Sequence, residues 1–269
     1  MNIKNKSTLE KIFKVLKVKN YSSRTIEIYM HYIKKFLQSF EKSALHITKY
    51  DIENYLLNQE YSSISQQNQI ISSIKLFAKH LLKIKRIDIA GLERPRKEKK
   101  LPRIIDSSVL QSKIKAIDNI KHKAVLSLAY CCALRVSEVV SLQIKDIDSK
   151  RMLIHIRDSK NRKDRFVPFS DNLLQILREY YKEYNPEKYL FNGQFDLKYS
   201  ASSCNNIVKK YVSKEYHFHL IRHSGLTFML ENGADLRIIQ KIAGHSKSST
   251  TEIYTHISTN LLNKVNLPI

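Results

Sequence analysis

The stretch Tyr216-His217-Phe218-His219-Leu220-Ile221-Arg222-His223 sets three histidines and an arginine within eight residues. His219 and Arg222 stand three apart where a helix is expected to begin, so they share a face. His219 and His223 stand four apart, a spacing that also suits a metal ion. A metal needs a third ligand and an acidic neighbour, and Arg222 would put a positive charge beside the cation. No metal is expected here. A His-Arg pair facing an anion is better physics, because both donate hydrogen bonds and arginine grips two phosphate oxygens at once.

The rest of the chain bears on which anion that is. Its 269 residues hold 47 Lys plus Arg against 25 Asp plus Glu, a formal charge of +22. Of this, +12 falls on residues 1–100 and +10 on 101–269, so the charge is not a basic tail. Two basic halves point to a grip on a polyanion such as nucleic acid. On charge alone, a merely soluble basic protein stays open.

Composition excludes other classes. The apolar fraction of 42% is enough for a core, and no apolar run nears the roughly 20 residues of a membrane span. Residues 1–6 lead into a charged amphipathic stretch without the apolar region of a secretory signal, so secretion is not expected and a cytoplasmic location is. Three cysteines, two of them the adjacent Cys131 and Cys132, make neither a disulfide framework nor a zinc spacing. With five glycines and no Gly-rich loop, nucleotide hydrolases and dinucleotide enzymes lose ground, and no cofactor is expected. The carboxylates do not gather for two-metal chemistry.

The pattern along the chain is mainly α. Ser7-Thr8-Leu9-Glu10 reads as a capping box, Ser22 or Ser23 and Thr48 as helix caps, and Ser63 with Gln66 as a second box. Apolar residues at helical spacing follow each, through Ile84, giving a four-helix unit over residues 1–90. Residues 93–103 carry two prolines and six basic side chains, so a basic linker is expected over 91–104. Such a linker either lies against phosphates or is a plain solvated connector. Residues 105–269 read as an α-rich domain with a small antiparallel sheet. Helices are expected over 107–117, 121–133 and 173–184 and from Ser200 onward, with breaks at Gly233 and Gly244. Residues 152–156 and 165–169 read as two strands around a basic turn. Cys131 and Cys132 are expected in the core.

Downstream of the His-Arg stretch come Ala243-Gly244-His245 and Tyr254-Thr255-His256. Upstream stand Ala133-Leu134-Arg135-Val136-Ser137-Glu138 and Ser159-Lys160-Asn161-Arg162-Lys163-Asp164-Arg165 before Val167-Pro168. In this order and approximate spacing, the chain resembles the tyrosine recombinase (phage-type integrase) family, in its simple two-domain, Xer-like form. The blocks correspond to that family's Ala-Leu-Arg-x-Ser-Glu block, strand-turn lysine, His-x-x-Arg box, Leu-Gly-His block and Tyr-Thr-His nucleophile motif. Residues 1–90, with Tyr21-Ser22-Ser23-Arg24-Thr25 before a helix, look like its core-binding domain, so the resemblance covers nearly the whole chain. Ala133 and Ser159 stand where the family commonly has glycine. Among the crowded Lys160, Arg162, Lys163 and Arg165, counting back from Val167-Pro168 selects Lys160 as the family's lysine.

The resemblance implies a site-specific DNA recombinase working without metal, ATP or cofactor, with Arg135, Lys160, His219, Arg222, His245 and Tyr254 as its catalytic residues. Tyr254 would form a 3′-phosphotyrosyl bond, with His219 taking its proton, Arg135 and Arg222 holding the phosphate oxygens, His245 adding a hydrogen bond and Lys160 protonating the leaving oxygen. Glu138 would orient Arg135. The implied partners are a double-stranded DNA recombination site and further copies of the chain, two per site and four in the synapse joined through a Holliday junction, or a related recombinase; no membrane is involved. Residues 258–269 would dock on a neighbouring copy or pack on their own domain. Two other classes stand beside this one: a type IB topoisomerase-like DNA relaxation enzyme, and a DNA-binding protein without catalysis. The compact N-terminal unit favours the recombinase over the first, and the complete residue set disfavours the second.

Overall fold

The computed structural model describes residues 3–84, 103–157, 164–194, 197–245 and 248–253. The chain divides into two compact units, Met1–Lys99 and Lys100–Ile269. All of the expected linker except Arg103 and Ile104 falls outside the described residues. So do Ser159, Lys160, Tyr254, His256 and the tail 258–269.

The N-terminal unit is built from α1 (Ile3–Val18), α2 (Ser23–Gln38), α3 (Lys49–Leu57) and α4 (Ile64–Leu81), with a 3-10 turn at Ala44–His46 before α3. Ser22 caps α2 by accepting from the Thr25 N–H at 3.2 Å, and Thr48 caps α3 in a reciprocal box with Asp51. Ser63 caps α4 as expected, but Gln66 reaches back to Ser62 rather than Ser63. The Ser7–Glu10 capping box is not formed, because α1 begins at Ile3 and runs through those residues. Buried Asn5 explains the earlier start: its side-chain oxygen accepts the Ala44 N–H at 3.1 Å and ties the first turn to the unit. The core centres on Phe36, whose ring meets Tyr55, Phe40 and Phe77 edge-on at 4.9, 5.2 and 5.7 Å.

The second unit contains α5 (Ser107–Lys115), α6 (Ile120–Cys131) and α7 (Val136–Ser141), then strands β1 (Ile147–Asp148), β2 (Leu153–Ile156) and β3 (Arg165–Pro168). It continues with α8 (Asp171–Tyr184), α9 (Ala201–Tyr211), α10 (Phe218–Glu231), α11 (Leu236–Ala243) and α12 (Ser249–Glu252). The strands form one antiparallel sheet in the order β1-β2-β3, with Ile154 opposite Val167 and Ile156 opposite Arg165. Ile154, Ile156 and Val167 point into the core, as the two-residue period of a one-sided sheet requires. The mainly α fold with a small antiparallel sheet is therefore the observed one. None of the described helices is long and apolar enough to cross a membrane.

Two packing features position the site. Helix α6 is buried from Ala124 to Tyr130, and α10 crosses it at Gly225. A methyl group at Gly225 would stand 2.1 Å from the Tyr130 carbonyl oxygen, so only glycine permits this approach. Ala133, Leu226, Leu230, Ile239 and Ala243 then form a small apolar cluster that fixes α10 and α11 against the end of α6. Of the adjacent cysteines, Cys132 is buried as expected, whereas Cys131 is exposed at the end of α6.

Candidate active site

Beyond α6 the chain turns through Ala133, at φ +49°, to Arg135, the N-cap of α7. Glu138 sits three residues into α7, only 8% exposed. One of its oxygens accepts the Arg135 backbone N–H at 2.8 Å and the other accepts Arg135 Nη1 at 2.8 Å. A carboxylate in the first turn also suits the positive end of a helix dipole. From β3, Arg165 lays its fork across both oxygens, Nη1 at 2.8 Å and Nη2 at 2.9 Å. From α10, Arg222 brings Nη1 to 3.8 Å. One buried carboxylate thus gathers three guanidinium groups that lie far apart in sequence.

The C-terminus of α11 ties the same three arginines together. Arg165 Nε donates to the Ile242 carbonyl at 2.6 Å, Arg222 Nη2 to the Ala243 carbonyl at 2.7 Å, and Arg135 Nη2 to the Gly244 carbonyl at 3.2 Å. Carbonyls at a helix end lack intrahelical partners and carry partial negative charge, so cations there satisfy both needs. Arg222 Nη1 also donates to the Ala133 carbonyl. Gly244 closes the helix at φ +62°, and a methyl group on it would lie 3.1 Å from Arg165 Nη1. Glycine is needed there both for the left-handed cap and for the closeness of the guanidinium.

This cap delivers His245 to the cluster. Its Nε2 lies 3.2 Å from Arg222 Nη2 and its Nδ1 lies 2.9 Å from Thr251 Oγ1. Arginine can only donate, so Nε2 accepts and Nδ1 carries the proton. Thr251, buried in α12, is three residues before Tyr254 in sequence, so the chain leading to that tyrosine is fastened to the arginine cluster. His219 and His223 stand edge to face on α10 with ring centroids 4.3 Å apart.

The electrostatics follow from burial and crowded positive charge. Burial works to raise the Glu138 carboxyl, but hydrogen bonds from Arg165 and the Arg135 backbone, with the charges of both arginines, outweigh it and hold the group below the usual carboxylate value. Partial desolvation, of a ring that keeps an exposed edge, then the charges of Arg222, His217 and Arg135, lower His219. The same causes take His245 down to about 4, burial first and then Arg222, Arg135 and Arg165. His223 falls to about 3 through burial, then His219 and Arg222. All three rings are neutral at pH 7. Three guanidinium groups against one carboxylate leave an excess of two positive charges, an arrangement chemically suited to an anion such as phosphate.

Of the six residues expected at the site, the fold brings Arg135, His219, Arg222 and His245 together, while Lys160 and Tyr254 fall outside the described residues. Sequence reasoning passed over Arg165, which it met as one of four basic residues crowding a turn. The signal for it was its strand position beside Val167-Pro168, two residues from a buried side chain.

Residues 98–260 match the Phage integrase family, and residues 8–88 match the N-terminal SAM-like domain of phage integrases. The tyrosine recombinase XerA of Pyrococcus horikoshii is 32% identical over 96% of this chain and 91% of its own. A putative integrase/recombinase of Sinorhizobium fredii is 30% identical over 91% of this chain and 82% of its own. Among solved structures, the XerH site-specific recombinase bound to a palindromic difH substrate superposes with a TM-score of 0.73, covering 95% of this chain and 82% of that one; at 18% identity it speaks for the fold alone. Since matches reach both units and relatives at 30% identity or more run along nearly the whole length, the chain belongs to the phage integrase family, that of the tyrosine site-specific recombinases.

Proposed function

We propose that this chain cuts and rejoins double-stranded DNA at a recombination site, using Tyr254 as nucleophile and Arg135, Lys160, His219, Arg222 and His245 as its catalytic set. The Tyr254 phenol oxygen attacks the scissile phosphorus, the P–O5′ bond breaks, and a 3′-phosphotyrosyl ester and a free 5′-hydroxyl result. The ester stores the bond, so no ATP is consumed. A phenol with a pKa near 10 needs a proton acceptor at neutral pH, and His219, held below the ordinary histidine value by partial desolvation and its arginine neighbours, is suited to that task. Lys160 gives a proton to the leaving 5′-oxygen. Attack by the 5′-hydroxyl of a second duplex reverses the step on new partners, and two such exchanges pass through a Holliday junction.

The observation that carries this reading is the arginine cluster around Glu138. The phosphate gains negative charge on its non-bridging oxygens as the fifth bond forms. Preorganised donors facing that charge are worth about 3 kcal/mol each, or 10²–10³ in rate. Arg135 and Arg222 are fixed on separate elements by Glu138 and by the end of α11, so both guanidinium groups are gathered at one place before any DNA arrives. His245 steadies Arg222 by accepting from it.

Around this centre, residues 1–90 clamp the duplex, the basic stretch 91–104 joins the halves, and residues 105–269 do the chemistry. Two copies bind each site and four make the synapse. The place of action is the nucleoid in the cytoplasm.

A duplex nicked just beyond the scissile phosphate tests the proposal, because loss of the short 5′ product traps the covalent intermediate. The wild-type chain should accumulate a protein–DNA adduct that survives denaturation, and Tyr254→Phe should form none. Adduct formation by Tyr254→Phe would remove the proposed nucleophile. Joining of strands between two duplexes, as against relaxation of supercoils alone, separates recombination from simple strand passage.

A further inference from the structure

Arg165 holds its partners differently from the other two arginines. All three of its nitrogens are committed to protein acceptors, Nε to the Ile242 carbonyl and Nη1 and Nη2 to the two oxygens of Glu138. Its side chain is only 9% exposed. The Arg135 guanidinium touches Glu138 through Nη1 alone, beside the backbone N–H bond to the same carboxylate, and spends Nη2 on the Gly244 carbonyl. Of the five N–H donors a guanidinium carries, two are engaged with the described residues. We propose that Arg165 is a positioning residue for strand cleavage: by occupying both oxygens of Glu138 and pinning the end of α11, it confines the Arg135 guanidinium to a one-point contact with that carboxylate and leaves it donors for the scissile phosphate.

The physical reason is competition for one carboxylate. An arginine beside an unoccupied carboxylate closes into a two-point pair, the strongest arrangement open to it. In such a pair Arg135 would turn its fork to Glu138 and away from DNA. Arg165 prevents this by taking the fork position first, from β3. The same guanidinium crowds Gly244 and anchors Ile242, so it also sets the cap that presents His245 to Arg222. Lysine cannot replace it, since an ammonium is a single point without a fork.

This inference rests on the proposed chemistry at Tyr254, and the test separates the two. The full chain, wild-type, Arg165→Gln and Arg165→Lys, is bound at saturating concentration to the nicked duplex, and adduct formation is followed in a single turnover. A second duplex carries a neutral methylphosphonate at the scissile position. Thermal melting and DNA affinity are measured alongside. On the ordinary phosphate, Arg165→Gln should slow cleavage about 10²-fold, the scale of losing one preorganised donor. Arg165→Lys should fall within about threefold of it, because the fork and not the charge is at stake. On the methylphosphonate, which lacks the charge Arg135 holds, the variant and wild-type rates should converge to within about fivefold, as coupled perturbations do. An equal fold-loss on both substrates, or wild-type rates from Arg165→Lys, would overturn the positioning role and leave a structural one. A wild-type chain that forms no Tyr254 adduct on the ordinary phosphate sinks the underlying chemistry instead.

Discussion

In the N-terminal unit the bulkiest fully buried side chains are Phe36 and Phe77, rings in contact with other rings; in the second unit the bulkiest is Arg222, a cation 1% exposed. The first unit solves its packing with apolar area, worth roughly 25 cal/mol for each Å² removed from water. The second places a charge where desolvation costs several kcal/mol per ion, offset only if every partner is in place. Glu138 and the carbonyls of Ala133 and Ala243 are those partners. Well-packed apolar groups in place of such buried charges are often as stabilising or more so. On the proposed function the charge is kept because an anion is held there, and the contrast between the units bears directly on that proposal.

A pair of substitutions of similar thermodynamic size tests this contrast most severely. Phe36→Ala removes the ring at the centre of the N-terminal core and should cost about 3–5 kcal/mol. Glu138→Ala leaves three guanidinium groups around no carboxylate and should cost a similar amount, about 3–5 kcal/mol. Urea denaturation would show both losses. Single-turnover cleavage on saturating nicked DNA should then divide them. Phe36→Ala should stay within about threefold of wild type, since its loss is one of packing. Glu138→Ala should lose at least about 10²-fold, because Arg135 and Arg222 are no longer held. Equal effects of the two variants on cleavage would erase the distinction drawn between the units.

The crossing of α10 over α6 supplies the next largest effect. Gly225→Ala would press a methyl group against the Tyr130 carbonyl and should destabilise by about 3 kcal/mol, the upper range for overpacking. Because α10 carries both His219 and Arg222, cleavage should fall together with stability, which Phe36→Ala would not do. Tolerance of Gly225→Ala in both measurements would show that the crossing is looser than its geometry.

How much of this was legible beforehand depended on whether the cause was local. His219 and Arg222 declared themselves because a helix puts residues three apart on one face. Arg135 was legible from its block, and Ser22, Thr48 and Ser63 from the short-range hydrogen bonds that cap helices. The box at Ser7–Glu10 failed because Asn5 meets Ala44, 39 residues away, and starts the helix early. Arg165 looked like one of four interchangeable cations, since nothing near it in sequence reveals that Glu138, 27 residues back, is its partner. The role of the α11 carbonyls was equally hidden, for a backbone oxygen has no letter in the sequence. Lys160 and Tyr254 rest on their motifs alone.

Acid should separate the units at smaller amplitude. His122, His219, His223 and His245 of the second unit are all held below the ordinary histidine value, chiefly by burial, against only His80 among the described residues of the first. A histidine whose folded pKa is lowered takes up its proton more readily when unfolded. Its contribution to stability is complete above about pH 6.5 and is lost as pH falls toward about 4 for His245 and about 3 for His223. In the first unit Asp51, lowered to about 2 mainly by its hydrogen bond from Lys42, acts in the same direction only below its ordinary carboxylate value. Melting followed from pH 7 to pH 5 should therefore lower the second unit's transition by about 5 °C and move the first unit's much less. Equal shifts in both transitions would count against these partly desolvated histidines as the cause.

Ala133 offers the smallest effect and the finest test. Its φ of +49° is a conformation that costs an L residue about 1–2 kcal/mol. Glycine would relieve that strain. Against this, Ala133→Gly gives up a buried methyl group, worth about 0.8 kcal/mol, in the cluster with Leu226 and Ile239. It also frees the unfolded chain, a further cost of about 0.5–1 kcal/mol. The opposing effects nearly cancel, so stability should change by less than about 1 kcal/mol. The carbonyl of residue 133 accepts from Arg222 whatever the side chain, so cleavage should stay near wild type. A loss of rate without a loss of stability would show that the methyl group itself, by stiffening the turn into Arg135, keeps that carbonyl aimed at Arg222.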